Sequence, residues 1–317
     1  MELSIIIPVY NEEENVEPLL NEIKSAVEPL GKRYEIIMVD DGSKDRTFEI
    51  LARLHRQEPR LRVVKLKRNF GQTAAMAAGL TYADGNIIVT MDGDGQNDPD
   101  DIPALLEELE KGNDLVSGWR FCRQDSFISR RLPSTVANRL ISWTTQVKLH
   151  DYGCTLKAMR SDVAKNLKLY GEMHRFIPAI AYERGARVAE LKVNHRPRLH
   201  GTSKYAVTRT LRVVLDLLTV KFLISYSTRP SHIFGPIGVI SGGVGFVIAI
   251  YLTFEKFWRG VTIGNRPLLL LAVLLIFIGF QFITMGLLGE MLARTYHESQ
   301  GRPVFVVGEI LGERKNA

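Results

Sequence analysis

Short apolar segments alternate with longer amphipathic segments along residues 1–120 of the chain. A short apolar run bounded by turn residues is typical of a buried strand, and apolar positions spaced three and four apart indicate a helix. This alternation predicts an α/β domain whose sheet is mostly parallel. The predicted strands are residues 3–9, 34–39, 61–66, 86–91, 115–118 and, as an edge strand, 188–193. The predicted helices are one that ends at about residue 27, and residues 46–57, 73–83 and 103–111.

Acidic side chains directly follow two of the predicted strands. Asp40 and Asp41 come after the second strand, and Asp92 and Asp94 come after the fourth. Because ligands of parallel α/β sheets bind beyond the carboxyl ends of the strands, we expect these carboxylates to meet at one edge. Side chains two residues apart in an extended segment point the same way, so Asp92 and Asp94 can converge on one hard cation such as Mg²⁺ or Mn²⁺. The alternative for this segment is a polar turn, since Asp and Gly are ordinary turn residues.

The glycines of the same segment bear on which ligand it would hold. Gly93 and Gly95 carry no side chain, and we expect them to leave room for phosphate groups beside the backbone. The chain has no Gly-x-Gly-x-x-Gly and no Walker A sequence, which argues against a dinucleotide enzyme and a P-loop NTPase. The favoured hypothesis is a site for a metal ion and a diphosphate.

The last third of the chain differs from the rest because it contains two long uncharged segments. Residues 233–254 and 267–289 each exceed the roughly 20 residues that cross a bilayer, and the short loop 255–266 would make them a hairpin. Residues 205–226 are apolar with charges on one helical face, which is the pattern of a helix in the membrane interface. The alternative is a pair of buried core helices in a soluble protein.

The charge balance permits several classes of partner. The formal net charge is +6, which suits anionic lipid, phosphate or nucleic acid. The basic residues cluster near the predicted membrane segments, so we expect no nucleic-acid partner. The two cysteines, Cys122 and Cys154, are too few for a disulfide scaffold and lack metal-ligand spacing. The N-terminus has no basic region and no long apolar run, so no signal peptide is predicted.

Four motifs occur in a fixed order along the chain, and together they resemble one known family. The motifs are Ile-Pro-Val-Tyr-Asn-Glu at 7–12, Val-Asp-Asp-Gly-Ser-Lys-Asp at 39–45, Asn-Phe-Gly at 69–71 and Met-Asp-Gly-Asp-Gly-Gln at 91–96. The set resembles the family-2 inverting glycosyltransferases of GT-A fold. The likeness is greatest to the polyprenyl-phosphate sugar transferases, the branch of dolichol-phosphate mannose synthase and bactoprenol glucosyltransferase, and it covers nearly the whole chain.

The resemblance implies roles for residues at the donor side of the site. Asp92, Asp94 and Gln96 would hold Mg²⁺ or Mn²⁺ against the donor diphosphate. For Glu12 the alternative is capping of the first helix, since an acidic residue suits a first helical turn. The residues implied for the nucleotide sugar are Pro8, Tyr10, Glu12, Asp40, Asp41, Gly71 and Asp92.

The resemblance also implies an acceptor side that is basic. Arg131 would contact the acceptor phosphate and act with Asp92, Asp94 and Asp151 in catalysis, with Asp151 near the reaction centre. The alternatives are an exposed helix start for Arg131 and a helix or turn cap for Asp151. The element Arg-x-x-Gly-x-Ser-Lys would clamp the same phosphate, unless it is only a basic patch beside anionic lipid. Its residues implied for the acceptor phosphate are Arg198, Ser203 and Lys204.

These features predict a metal-dependent transferase that moves a hexose, with inversion, from a nucleotide sugar to a membrane polyprenyl phosphate. UDP-glucose is favoured because the two-span architecture resembles the bacterial glucosyl branch, and GDP-mannose and other UDP-sugars stay open. A transferase with a hydroxyl acceptor would need a base, for which Asp151 is the obvious candidate. A membrane scaffold without donor binding is the alternative outside the enzymes, and the intact acidic set argues against it.

The predicted organisation places a cytosolic GT-A domain before a membrane anchor. We expect an integral protein of the plasma (inner) membrane with two spans and both termini in the cytosol, although Lys and Arg counts around the spans do not settle the orientation. The small-residue spacing of Gly238 and Gly242 favours self-association, and a flippase is expected to act on the product. The predicted divisions are 1–204 for the GT-A domain, 205–231 for interface helices, 232–292 for the spans and 293–317 for a tail. Residues 302–307 of the tail are predicted to form a short strand that docks on a catalytic domain, of the same chain or of a neighbour.

Overall fold

The structure is a computed structural model, and it describes a defined part of the chain. The described residues are 1–121, 149–169, 171, 173–197 and 304–312, with isolated helical positions between 277 and 295. The chain divides into two compact units, one formed by Met1–Leu217 with Arg302–Ala317 and the other by Leu218–Gly301. Among the described residues, no helix is both long and apolar enough to cross a bilayer. The acceptor-phosphate residues predicted at 131, 198, 203 and 204 and most of the predicted hairpin lie outside the described residues.

The first unit is built on one sheet of eight strands, in the order β7-β5-β6-β4-β1-β2-β3-β8. The central pairs β4–β1, β1–β2 and β2–β3 are parallel, as is the pair β5–β7. The α/β domain with a mostly parallel sheet is therefore confirmed. The strands are β1 Leu3–Val9, β2 Tyr34–Asp40, β3 Leu61–Leu66, β4 Ile87–Thr90, β5 Leu115–Arg120, β6 Lys157–Arg160, β7 Val188–Val193 and β8 Val307–Leu311.

Helices cover both faces of the sheet, which is why β1 and β2 are buried at every position. Alternate residues of β1, such as Ile5 and Ile7, lie in a core that they share with α1, α2 and α4. The next residue, Ile6, points to the opposite face and meets α3. The helices are α1 Val16–Val27, α2 Thr47–Gln57, α3 Gln72–Tyr82, α4 Ile102–Glu110 and the short helices Ser161–Lys165 and Ile177–Glu183.

The small residues of α3 let its backbone lie close to the sheet. A Cβ atom placed on Gly79 would overlap Cγ2 of Ile6. Six other α3 residues, four of them alanine or threonine, are also buried, so the helix presents a flat face to β1 and β2. This contact fixes where the N-terminal end of α3 lies at the carboxyl edge of the sheet.

We expect Gly79→Ala to destabilise the chain by about 1–3 kcal/mol, because the added methyl overpacks the contact with Ile6. Helix propensity alone predicts the opposite sign, since alanine is favoured over glycine by up to about 1 kcal/mol inside a helix. Denaturant unfolding of the purified chain measures the difference. Thr81→Ala on the exposed side of the same helix is the control and should change stability by less than about 0.5 kcal/mol. A stabilised Gly79→Ala variant would contradict the close approach.

Two strands differ from the sequence pattern. The strand β6 was not predicted, and it lies antiparallel between β4 and β5. The pattern missed it because it is short and contains Lys157, which is 1% exposed. The tail strand β8 occupies Val307–Leu311 rather than residues 302–307, and it pairs antiparallel with β3 of the same chain.

Candidate active site

The two carboxylates after β4 lie at the carboxyl edge of the sheet, beside the first turn of α3. Asp92 Oδ1 accepts a hydrogen bond from Gln72 Nε2 at 2.6 Å. The Thr155 hydroxyl also bonds to the Asp92 carboxylate. Asp94 Oδ1 accepts the backbone N–H of Gln96 at 3.2 Å, which closes the turn after the strand. The arrangement holds Asp92 in one orientation before any ligand binds.

Burial, and after it the neighbouring charge of Asp94, raise the pKa of Asp92 to about 6. The Thr155 hydroxyl and the positive charges of Arg120 and Lys157 act against this rise. A raised carboxylate pKa means that the negative charge is poorly compensated in the metal-free chain. A cation bound between the two aspartates would supply that compensation.

Arg120, at the end of β5, forms a bidentate ion pair with Asp151. Its Nε donates to Asp151 Oδ2 at 2.6 Å, and its second guanidinium nitrogen donates to Oδ1 at 2.9 Å. The Asp151 side chain is 4% exposed, and the backbone N–H of Gly153 donates to its Oδ1 at 3.1 Å. The Asp151 backbone N–H donates to Glu190 on β7. The predicted turn-cap role of Asp151 thus coexists with a charged contact beside the site.

Lys157 is the second buried cation near Asp92. Its Nζ donates to the backbone carbonyl of Cys154, and its side chain lies at the start of β6. Burial lowers the pKa of Lys157, while the nearby Asp151 and Asp92 charges oppose that shift. Lys157 and Arg120 are thus two cations whose charges act on Asp92 and only partly compensate its negative charge.

The structure corrects the expectation that Gly93 leaves room for phosphate. A Cβ atom on Gly93 would lie 2.5 Å from Val9 Cγ1 and 3.0 Å from the Pro8 carbonyl. Glycine is required at this position because the segment packs directly on β1 and leaves no room for a side chain. Gly95 has nothing within 4 Å of such a Cβ and adopts a φ of 72°, so the open space lies there.

Asp40 lies at the end of β2 and is fully buried. Its Oδ1 accepts the backbone N–H of Ser43 at 2.9 Å, whereas its Oδ2 has no hydrogen-bond partner in the described part of the chain. Burial raises the pKa of Asp40. A buried acceptor without a partner is costly, so this oxygen marks a place where a ligand donor would bind.

Asp41 shapes the loop that precedes α3. Its two oxygens accept the backbone N–H groups of Phe70 at 2.7 Å and Gly71 at 2.9 Å. Gly71 adopts a φ of 96°, which favours glycine, and it starts the helix whose next residue is Gln72. The contact of Asp41 and Gly71 with a nucleotide sugar stays a prediction. The structure adds that Asp41, just after β2, holds the loop from which Gln72 begins α3.

The loops after β1 and β2 are tied to each other. The Asn11 backbone N–H donates to Ser43 Oγ at 2.9 Å, and Asn11 Oδ1 accepts the Lys44 N–H at 2.8 Å. The Glu12 N–H donates to Thr47 Oγ1 at 2.9 Å, and Glu12 Oε2 accepts from the Asn15 amide at 2.6 Å. Glu12 therefore supports the residue before α1, and its predicted donor contact stays a prediction. Pro8 is buried and Tyr10 half-buried at the end of β1.

The turn after Asp94 is joined to the segment that follows β7. The Gln96 carbonyl accepts the Arg196 N–H at 2.9 Å, and Asn97 pairs with His195. The Arg196 guanidinium also bonds to Asp98 Oδ1 at 2.6 Å. The residues just before the predicted acceptor-phosphate element Arg-x-x-Gly-x-Ser-Lys are thus held at the same edge as the aspartates.

The described residues fit a divalent cation with few protein ligands. No three His, Cys, Asp or Glu side chains come together as a metal cluster among the described residues. Mg²⁺ and similar ions commonly take one or two carboxylates and complete their shell with substrate phosphates and water. Asp92 and Asp94 supply such a pair, with Gln96 in the adjoining turn.

Sequence reasoning missed four residues that surround Asp92, although a usable signal existed for one of them. The rule that functional side chains follow strand ends would have selected Arg120 if β5 had been recognised to extend to residue 120. The other three became visible only when distant segments were brought together. They are Gln72, Thr155 and Lys157.

Two known proteins match the chain over nearly its whole length. The whole chain is 47% identical over 322 residues to the dodecaprenyl-phosphate galacturonate synthase of Rhizobium johnstonii, a match that covers 95% of that protein. It is 40% identical over 312 residues to the undecaprenyl-phosphate 4-deoxy-4-formamido-L-arabinose transferase of Edwardsiella ictaluri, covering 98% of this chain and 94% of the other.

A solved structure shares the fold. Glucosyl-3-phosphoglycerate synthase of Mycobacterium tuberculosis, in complex with Mn²⁺ and UDP-glucose, superposes with a TM-score of 0.55 and 21% identity. The superposition covers 69% of this chain and 78% of that one. The family model described as glycosyl transferase family 2 matches residues 4–168. With the full-length relatives, this match shows that the chain belongs to glycosyl transferase family 2.

Proposed function

We propose that the chain transfers a sugar from a UDP-linked donor to a membrane polyprenyl phosphate, with a divalent cation and with inversion at the anomeric carbon. The proposal rests mainly on the neighbouring carboxylates of Asp92 and Asp94. Gln72 holds Asp92 in place, and without a cation the nearby positive charges do not balance its negative charge. One buried oxygen of Asp40, at the same edge, has no partner among the described residues, which supports a donor nucleotide there. Both curated relatives are named for sugar transfer or synthesis on a polyprenyl phosphate.

The chain's own residues position and neutralise the reactants. Asp92 and Asp94 would hold Mg²⁺ or Mn²⁺, which when bound neutralises the departing nucleoside diphosphate. Arg120 and Lys157 add positive charge near Asp92. An acceptor phosphate is already ionised at neutral pH, so it can attack the anomeric carbon without a general base.

The geometry of Asp151 separates a phosphate acceptor from a hydroxyl acceptor. A hydroxyl acceptor would need a carboxylate free to take its proton, and it would need that carboxylate within hydrogen-bond reach. Both oxygens of Asp151 are instead held by Arg120. This favours the phosphate acceptor.

The identity of the sugar is the open part of the proposal. The sequence favours UDP-glucose, whereas the relative at 47% identity is named for galacturonate and the relative at 40% for a formamido-arabinose. We therefore propose that the donor is a UDP-linked hexose, hexuronate or amino-modified pentose. We further propose that the chain works at the plasma membrane, with the acceptor reaching the site from the bilayer surface.

Membranes that contain the chain, incubated with labelled nucleotide sugars and an added polyprenyl phosphate, test the proposal. The expected result is label in the organic phase with one UDP-sugar and none with GDP-mannose, and loss of that product in excess chelator. Product formation in excess chelator would contradict the metal, and label that stays in water with every donor would contradict the lipid acceptor.

Binding of Mn²⁺ in the presence of UDP is expected to weaken as the pH falls through about 6. The reason is that a metal ligand must be deprotonated, and burial raises the pKa of Asp92 to about 6. Calorimetric titration should show constant affinity above about pH 7 and a loss approaching tenfold per unit of pH below that pKa. Asp100→Asn, at an exposed position nearby, should follow the wild-type curve. An affinity that does not change through pH 6 would exclude Asp92 as a ligand.

A further inference from the structure

An exposed group of ring side chains lies at the end of β5 and β7, and the function proposed above does not use it. Trp119 and Phe121 meet edge to face with centroids 5.1 Å apart, and His150 stacks on Trp119 at 4.1 Å. Lys192 Nζ lies 4.2 Å from the centroid of Phe121 and 5.3 Å from that of Trp119. We call Trp119, Phe121, His150 and Lys192 the aromatic shelf.

The strand register places the aromatic shelf on the same face of the sheet as Asp92. Thr90 on β4 and Ser117 on β5 are both paired with Lys157 of the intervening strand β6. Because side chains alternate along a strand, Asp92 and Trp119, each two residues farther on, share that face. Two strand spacings separate them, which is about 10 Å.

The contacts of Thr155 support this placement. Thr155 lies on the approach to β6, where its carbonyl accepts the Thr90 hydroxyl at 2.8 Å and its own hydroxyl bonds to Asp92. Thr155 therefore lies beside Asp92 on the approach to β6, the strand between β4 and β5. The separation of about 10 Å between Asp92 and Trp119 is comparable to the length of a sugar ring plus a phosphate group.

The chemistry of Phe121 and Lys192 suits an amphipathic anion, whereas His150 is held in place by the carboxylate of Glu190. Phe121 is 57% exposed, so its ring contributes little to the core. An ammonium group over two rings presents positive charge and apolar surface together. A lipid phosphate presents the matching pair, a negative head next to an apolar chain.

The position of the shelf along the chain points the same way. Phe121 ends the segment before the predicted acceptor residue Arg131, and Lys192 lies on β7 shortly before the predicted acceptor residue Arg198. Arg120, between the two shelf rings in sequence, binds Asp151. In the strand order, β5 and β7 lie on the other side of β4 from β2, so the shelf lies away from Asp40.

We infer that the aromatic shelf binds the isoprene unit nearest the phosphate of the lipid acceptor, with Lys192 close to the phosphate itself. This inference rests on the proposed function, because it names the part of the acceptor that the protein recognises next to the reaction centre. The occupant is the acceptor lipid, and the donor sugar lies on the Asp92 side of the shelf.

Geranyl phosphate, a short soluble prenyl phosphate, is the probe for this inference. With the purified full-length chain and the active UDP-sugar, Phe121→Ala should raise the KM for geranyl phosphate about tenfold, while kcat and the KM for the donor change less than about twofold. Lys192→Gln should raise the same KM, and Phe121→Tyr, which keeps the ring, should restore it. Tyr182→Ala, which removes another exposed aromatic ring at 45% exposure, is the control and should behave as wild type.

The outcomes separate the shelf from the proposed function. A wild-type KM for geranyl phosphate in Phe121→Ala would overturn the inference and leave the proposed function standing. A raised KM for the nucleotide sugar instead would assign the shelf to the donor and also overturn it. If no donor is found, calorimetric binding of geranyl phosphate decides: about tenfold weaker binding by Phe121→Ala supports the shelf, and no binding to the wild-type chain overturns it.

Discussion

Asp92→Asn and Asp94→Asn are each expected to reduce sugar transfer by about a thousandfold or more while the chain stays folded. Asparagine keeps the shape of the side chain but removes the negative charge that holds a cation. Loss of one preorganised group that stabilises developing charge typically costs about 10²–10³ in kcat, and loss of a metal ligand removes the cation as well. Single-turnover transfer with saturating donor measures this loss directly.

The folding of Asp92→Asn provides a second, independent check. The raised pKa of Asp92 means that its ionised form is less favourable in the folded chain than in the unfolded one. Stability of the metal-free chain therefore falls as the pH rises from 3.8 to about 6, and removing the charge removes that cost. The metal-free variant should melt at or above the wild-type temperature at neutral pH. Asp100→Asn is the matched control and should keep both activity and stability. Transfer within about tenfold of wild type in Asp92→Asn would rule out its role as a metal ligand.

The sequence predicted the central strands closely because burial on both faces makes them continuous apolar runs. The bounds of β1 and β3 are the predicted ones, and those of β4 and α3 differ by one residue at each end. The strand β6 escaped because its buried Lys157 interrupts the apolar pattern, and its burial depends on contacts with Cys154 and the site charges. Whether residues 157–160 form a buried strand therefore depends on charges that the fold brings close to Lys157, and not on the local sequence pattern.

The candidate site was predictable where one rule sufficed. Asp40 and Asp92 were found because functional side chains follow the ends of parallel strands. The pairing of Arg120 with Asp151 could not be read from the sequence, since the two residues are 31 positions apart and meet only across the sheet edge. Gly93 was misread because its neighbour, Val9, belongs to a strand distant in sequence.

Removal of one partner of the Arg120–Asp151 pair is expected to have the second large effect. The two side chains are 15% and 4% exposed, so each would leave a nearly buried charge behind. Breaking such a pair typically costs about 3–5 kcal/mol, because the remaining charge has lost its compensation. Asp151→Ala and Arg120→Ala should therefore both lower the free energy of unfolding by that amount. Arg120→Ala should also reduce transfer, because the charge of Arg120 acts on Asp92.

A double replacement separates the stabilising role of the pair from its role in the reaction. Arg120→Met with Asp151→Leu removes both charges, and apolar replacements of a buried ion pair are often neutral or stabilising. We expect this variant to regain most of the lost stability in denaturant unfolding, and to stay at least about tenfold less active because the positive charge beside Asp92 is still absent. If activity returns together with stability, the pair acts only as a structural tie. If activity stays low in a stable chain, Arg120 contributes to the charge balance that Asp92 and its cation require.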